Sequence, residues 1–179
     1  MTTRSLSGKL LVAATVVLCT VAGAAAAGVQ FSLTPSVAPG LYVRASDGGG
    51  TPTAGELVTF CPPERVAAYA LGRGYLHRGS CPGGVEPLGK YVLAVAGDTV
   101  AVSAEGIRVN GVPVPSSAVY TRDQVGRPLA HGPFGERVVG PDSFFAFAGR
   151  HPRSFDSRYF GPVPVNAVRS TIRPLWTAD

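Results

Sequence analysis

The order of apolar and polar positions divides this chain into two unequal parts. After a polar start, MTTRSLSGK, the run from Leu10 to Val29 holds twenty residues without a charge. Twenty helical residues span about 30 Å, the depth of a bilayer core, so the run is expected to form one transmembrane helix. Beyond it the apolar runs shorten to strand length. Pro35 and Pro39 exclude a helix, and Pro39-Gly40 marks a turn before a strand that begins at Leu41 to Arg44. Ser46 to Thr53 reads as a Gly-rich loop and Glu56 to Phe60 as a strand. Pro62-Pro63-Glu64 opens a short helix that Gly72 can end. Lys90 to Ala96 is apolar after its first residue and reads as a buried strand. Gly97-Asp98 turns it into a second strand, Thr99 to Val102. Asn110-Gly111, between Ile107–Val109 and Val112–Val114, is a type I′ hairpin signal, and Pro113 puts that strand at a sheet edge. Residues 116–137 read as an extended loop, Ser143 to Ala148 as a strand and Arg150 to Gly161 as an irregular polar segment. Val163 to Trp176 closes the chain as a strand or helical turn. The expected fold is mainly β: an antiparallel domain with one short helical insert, behind one N-terminal transmembrane helix. In these terms residues 1–9 are cytoplasmic, 10–29 the anchor and 30–179 an exported domain.

Composition changes this picture little. With 45% hydrophobic and 15% charged residues, the chain can build a packed core and is not disordered. The formal charge of +5 comes from scattered arginines with no aromatic-basic stripe, which speaks against nucleic-acid binding and for a mild attraction to anionic lipid headgroups. Arg4 and Lys9 flank the apolar run and hold that end in the cytoplasm, so everything after Val29 is exported. A cleaved signal peptide, cut at the A-x-A-like Ala24 to Ala27, is the alternative and exports the same remainder. Two thiols in an exported domain are expected to pair, so Cys61 and Cys81 should bracket the helical insert 61–81. His77, His131 and His151 stand at no ligand spacing, so no metal and no cofactor is expected.

One residue stands out chemically. Of the 16 basic residues only Lys9 and Lys90 are lysines, and Lys90 opens the apolar strand PLGKYVLAV. A solvated lysine has a pKa near 10.4 and is no base at neutral pH. Burial lowers that value, whereas arginine stays protonated. Lys90 is therefore a candidate general base, against the plain alternative of a snorkelling or ion-paired lysine at a strand start. A serine needs such a base to act as a nucleophile. Ser36 lies in the proline-flanked segment just past the apolar run.

Three segments together resemble the type I signal peptidase family, most closely its conjugative-transfer, TraF-type branch. Thr34-Pro35-Ser36-Val37-Ala38-Pro39-Gly40-Leu41-Tyr42 looks like the T-x-S-x-P-x-G-x-Y nucleophile box. Pro87 to Val92 with Ala96-Gly97-Asp98-Thr99-Val100 looks like the lysine box and its G-D-x-V tail. Ser154-Phe155-Asp156-Ser157-Arg158-Tyr159-Phe160-Gly161 looks like the S-x-D-S-R-Y-[WF]-G box. Val37 and Tyr91, where the housekeeping enzymes carry Met and Arg, favour the specialised branch. Their G-D-N-R element is missing, with Gly149 to Arg153 in its place. The resemblance implies a Ser/Lys peptidase with Ser36 as nucleophile and Lys90 as base. It also implies an oxyanion site at the Ser36 N–H aided by Thr34, and Ser154 orienting the lysine amine. Thr34 as turn capper and Ser154 as a loop serine remain open. So does Asp156, either paired with Arg158 to shape the site or relaying a proton. The implied substrate is a membrane-inserted, pilin-like precursor with small residues before the cleavage point. It would be cut on the periplasmic side of a bacterial inner membrane during plasmid transfer. Whether the acyl-enzyme is hydrolysed or used to join pilin ends stays open. A general signal peptidase, or a non-catalytic assembly protein of this fold, are the alternatives.

Overall fold

The computed structural model describes residues 3–32 and 36–178. A helix, α1 (Thr3–Ala26), leads the chain; its Gly8–Ala26 stretch has a mean hydropathy of 2.0 and is not buried among the described residues. The helix stops at Ala26 rather than running to Val29. Gly28 adopts a φ of 77° and turns the chain into β1 (Val29–Ser32), which pairs antiparallel with β2 (Gly40–Asp47). The turn between these strands contains Ser36.

There follow β3 (Leu57–Phe60), α2 (Ala67–Arg73), β4 (Leu88–Ala94), β5 (Thr99–Val102), β6 (Ile107–Val109) and β7 (Val112–Pro113). After them come β8 (Gly135–Val138), β9 (Ser143–Phe147), α3 (Ser157–Phe160), β10 (Val163–Pro164) and β11 (Val168–Thr177). One sheet has the order β1-β2-β11-β3-β4-β9-β10 and the other β7-β6-β5-β8. Every strand pairing is antiparallel, so the fold is the mainly β one the pattern predicts.

Strand β9 explains how the two sheets share an interior. Its sequence SFFAF is apolar without alternation, the pattern of a strand covered on both faces. Phe144 and Ala146 enter a core with Val58, Phe60, Val92 and the α2 insert. Phe145 and Phe147 enter a second core with Val100, Ile107 and Tyr159. Asp98 fastens the passage between the sheets. Its carboxylate accepts from the Val95 N–H at 2.8 Å and from the Asn110 side-chain amide at 2.8 Å, and these bonds hold it below the usual carboxylate range.

Three local expectations are corrected. Helix α2 runs past Gly72 to Gly74, whose φ of 70° lets its N–H close the last turn. Ala67 and Ala70 are buried against the core, and that packing carries the helix through Gly72. The segment 116–137 is not all loop, because its end forms β8, an exposed edge strand fixed by pairing with β5. The polar segment Arg150 to Gly161 contains α3 and is largely buried.

The disulfide Cys61–Cys81 closes the insert, with Cα atoms 5.4 Å apart and 20 residues of separation. A loop of this size is worth about 3 kcal/mol in the chain-entropy account. Denaturant unfolding with and without reductant should differ by about that amount; equal midpoints would contradict a structural role for the bridge.

Candidate active site

Strand β4 alternates, placing Leu88, Lys90, Val92 and Ala94 on the buried face and Tyr91 on the other. It lies between β3 and β9, with Lys90 opposite Val58. The lysine is therefore held by a central strand, and only 3% of it is exposed. Its Nζ lies 2.5 Å from Ser36 Oγ and 2.8 Å from Ser154 Oγ. The two hydroxyl oxygens are 2.8 Å apart, closing a triangle.

Burial is the largest influence on the Lys90 amine and lowers its pKa from 10.5 to about 8. The Asp156 carboxylate pulls it back up, the Arg158 cation pushes it down, and Glu86 raises it slightly. A useful fraction of the amine is thus neutral near pH 7 to 8. A neutral Nζ is an acceptor, and the Ser36 hydroxyl is close enough to donate to it.

The Ser36 turn is rigid for identifiable reasons. Val37 is buried with Tyr42, Leu57 and Ile172. The Tyr42 hydroxyl donates to the Ala38 carbonyl at 2.6 Å, clamping the turn two residues past the serine. Gly40 admits the last strand, since a Cβ there would stand 2.1 Å from the Trp176 carbonyl oxygen. Val37, Gly40 and Tyr42 support Ser36, a packing role that the sequence reading gave to none of them. The G-x-Y that ends the nucleophile box is the signal that could have found Gly40 and Tyr42.

Ser154 is positioned from the other side. Its N–H donates to the His151 carbonyl at 3.0 Å, and its carbonyl accepts from Arg158 Nη2 at 3.0 Å. Asp156 and Arg158 form a fully buried, two-pronged pair, Nε to Oδ1 at 2.8 Å and Nη2 to Oδ2 at 2.9 Å. Arg158 Nη1 also donates to the Ala118 and Pro152 carbonyls, and the guanidinium sits 4.9 Å above the Phe147 ring. Asp156 caps α3 through the Arg158 N–H and accepts from the Ala148 N–H. Among the described residues no hydrogen bond joins Asp156 to Lys90, so the carboxylate reaches the amine only through its field. Ser157, buried like its neighbours, accepts from the Ala146 N–H at 2.9 Å and ties α3 to β9. Thr34 lies outside the described residues.

The structure therefore brings Ser36, Lys90 and Ser154 into mutual contact and sets Asp156 with Arg158 behind them. A model of the family described as "Signal peptidase, peptidase S26" matches residues 4–176. The chain belongs to that family. The peptidase, a serine hydrolase by this membership, is 35% identical over 175 residues to the plasmid transfer protein TraF of Escherichia coli, covering 97% of each chain. It is 42% identical over 186 residues to a probable conjugal transfer protein TraF of Sinorhizobium fredii, covering 99% of this chain and 95% of that one. Among solved structures, a signal peptidase I from Enterococcus faecalis aligns with 68% of this chain and 97% of its own, at a TM-score of 0.40 and 20% identity.

Two outcomes follow from this geometry. A base must be neutral to act, so kcat/KM should rise with pH to a plateau, with an acidic limb near pH 8; a profile flat from pH 6 to 9 would contradict it. Arg158→Ala would leave Asp156 charged, buried and unpaired. It should destabilise the fold by about 3–5 kcal/mol in denaturant unfolding, and a loss under about 1 kcal/mol would contradict the pairing.

Proposed function

We propose that this protein is a membrane-anchored endopeptidase using a Ser36/Lys90 dyad. Its substrate class is an exported, membrane-inserted precursor of the pilin kind, processed during plasmid transfer. The observation that carries the reading is the 2.5 Å approach of Lys90 Nζ to Ser36 Oγ inside a buried site.

The chemistry proceeds in two halves. Neutral Lys90 takes the Ser36 hydroxyl proton as Oγ attacks the scissile carbonyl carbon. The oxyanion forms near the Ser36 backbone N–H, where Thr34 is the expected second donor. The tetrahedral adduct collapses, the C–N bond breaks, and the Lys90 ammonium returns its proton to the leaving amine. An ester to Ser36 Oγ remains. Lys90 then removes a proton from an incoming water that attacks the ester carbon; the C–Oγ bond breaks, the Lys90 ammonium returns its proton to Ser36 Oγ, and the second product leaves as the acid. Ser154 keeps Nζ aimed at Oγ through both halves. Asp156 and Arg158 act as positioning residues, because their contacts fix the backbone around Ser154.

Helix α1 supports the anchored reading by its length and exposed apolar surface, Leu10, Leu11, Val16 and Leu18 all being more than half exposed. With Arg4 and Lys9 on its cytoplasmic flank, the catalytic domain lies on the periplasmic side of an inner membrane. Ser36 follows Ala26, the last residue of α1, by only ten positions (36 minus 26), four of which form β1. That short separation supports a nucleophile working at the membrane surface, where an inserted precursor presents its cleavage point. The TraF relatives, plasmid and conjugal transfer proteins by name, support the conjugative setting.

Processing of the co-expressed pilin precursor, followed by its mass, tests the dyad. Ser36→Ala, Lys90→Ala and Lys90→Arg should each lower processing by about a thousandfold or more. Substantial processing by Lys90→Arg would make the lysine a structural cation and overturn the mechanism. Unaltered pilin alongside cleavage of ordinary secretory precursors would point instead to a general signal peptidase.

A further inference from the structure

Ser36 and Ser154 stand at one end of a cavity of about 420 Å³. The end of α2, the chain from Tyr120 to Leu129, and the stretch from His151 to Phe155 form its walls. Four arginines, Arg73, Arg122, Arg127 and Arg153, line it against one carboxylate, Asp123.

That carboxylate is already used. Asp123 accepts from Arg127 Nε at 2.6 Å and from the Tyr75 hydroxyl at 2.7 Å, and Arg73 stands 3.8 Å away. The N–H groups of Val125 and Arg127 complete its shell. Burial opposes its ionisation, yet these donors keep it well below the usual carboxylate range. Asp123 thus answers Arg73 and Arg127 and closes the loop on itself.

Arg122 and Arg153 have no such answer. The ion pairs among the described residues involve neither of them. Arg122 Nη1 donates to the Gly126 carbonyl at 2.8 Å, and Arg153 Nη1 to the Arg122 carbonyl at 3.2 Å. The Arg153 guanidinium lies 4.3 Å over the Tyr120 ring, which fixes its position. Arg153 also immediately precedes Ser154. Two exposed guanidinium groups with no carboxylate partner among the described residues therefore line the same cavity as Ser36 and Ser154. Guanidinium groups match carboxylates in shape as well as charge.

We infer that this cavity is a carboxylate subsite: Arg122 and Arg153 select precursors carrying an acidic group close to the scissile bond. The group is an Asp or Glu side chain or the precursor's own chain terminus. The inference rests on the peptidase reading of Ser36 and Lys90 and adds to it the charge of the preferred substrate.

Binding separates the two ideas, because it needs no turnover. The full-length Ser36→Ala protein in neutral detergent is titrated with decapeptides of alanine and serine bearing a neutral dye. Single Glu, Gln or Lys residues are placed on either side of a central Ala-Ala bond, and each peptide is made with a free or an amidated C-terminus. At one placement Glu should bind about tenfold more tightly than Gln, or the free terminus more tightly than the amide. The preference should fade with added salt. Arg122→Gln with Arg153→Gln should reduce it to about twofold or less, and Arg153→Glu should shift preference to the Lys peptide. Equal binding of all forms, or an acid preference that survives the double substitution, would overturn the subsite. The same peptides are then given to the wild-type enzyme. Cleavage without acid preference overturns the subsite alone. Acid-selective binding with no cleavage of any peptide supports the subsite and overturns the peptidase reading.

Discussion

Removing the Lys90 amine from water is the constraint on which the site depends. Charged, it has no carboxylate within hydrogen-bond reach among the described residues and only two hydroxyls to answer it. Its pKa of about 8 instead of 10.5 corresponds to roughly 3 kcal/mol. Because the folded state binds the proton less well than the unfolded chain, that cost is fully present below pH 8. It fades as the pH rises from about 8 towards 10.5. The fold carries the cost through β4, whose place between β3 and β9 leaves only 3% of Lys90 exposed. The disulfide-closed insert packs on the same core.

A carboxylate near a lysine ordinarily keeps it protonated, so the placing of Asp156 matters. Arg158 holds both oxygens of that carboxylate, and among the described residues neither bonds Nζ. The Arg158 cation lowers the Lys90 pKa while Asp156 raises it, so the two oppose each other and burial, the largest influence, decides the outcome. The same guanidinium grips the Ser154 carbonyl and thereby sets where the second hydroxyl stands. A buried ion pair is often neutral or costly for stability. Here it fixes the backbone around Ser154 without giving the Lys90 amine a carboxylate partner among the described residues.

Much of this was legible in the sequence. The apolar run, the Asn110-Gly111 hairpin and the strand opened by Lys90 follow from pattern and turn chemistry, and the serine, lysine and S-F-D-S-R boxes pointed to the family. Arg150 to Gly161 was misread as an irregular polar segment because hydropathy cannot register polar groups that satisfy one another. Ser154, Asp156, Ser157 and Arg158 are all buried, and each has a partner. Strand β8 was missed because Glu136 and Arg137 look like loop residues, and only pairing with β5 makes them a strand. The cavity arginines were invisible for a related reason. Arg73, Arg122, Arg127 and Arg153 are scattered along the chain and converge only in three dimensions.

The central claim is that Lys90 is a lysine kept ready to be neutral, and the protein's scarcity of lysine makes this directly measurable. In a Lys9→Arg variant, Lys90 is the only lysine, so ¹³Cε-lysine labelling gives a single resonance whose shift follows its protonation. Titration of the folded variant should give a midpoint near pH 8. A midpoint at the ordinary lysine value, about 10.4, would mean that the amine is charged throughout the working range and cannot be the base.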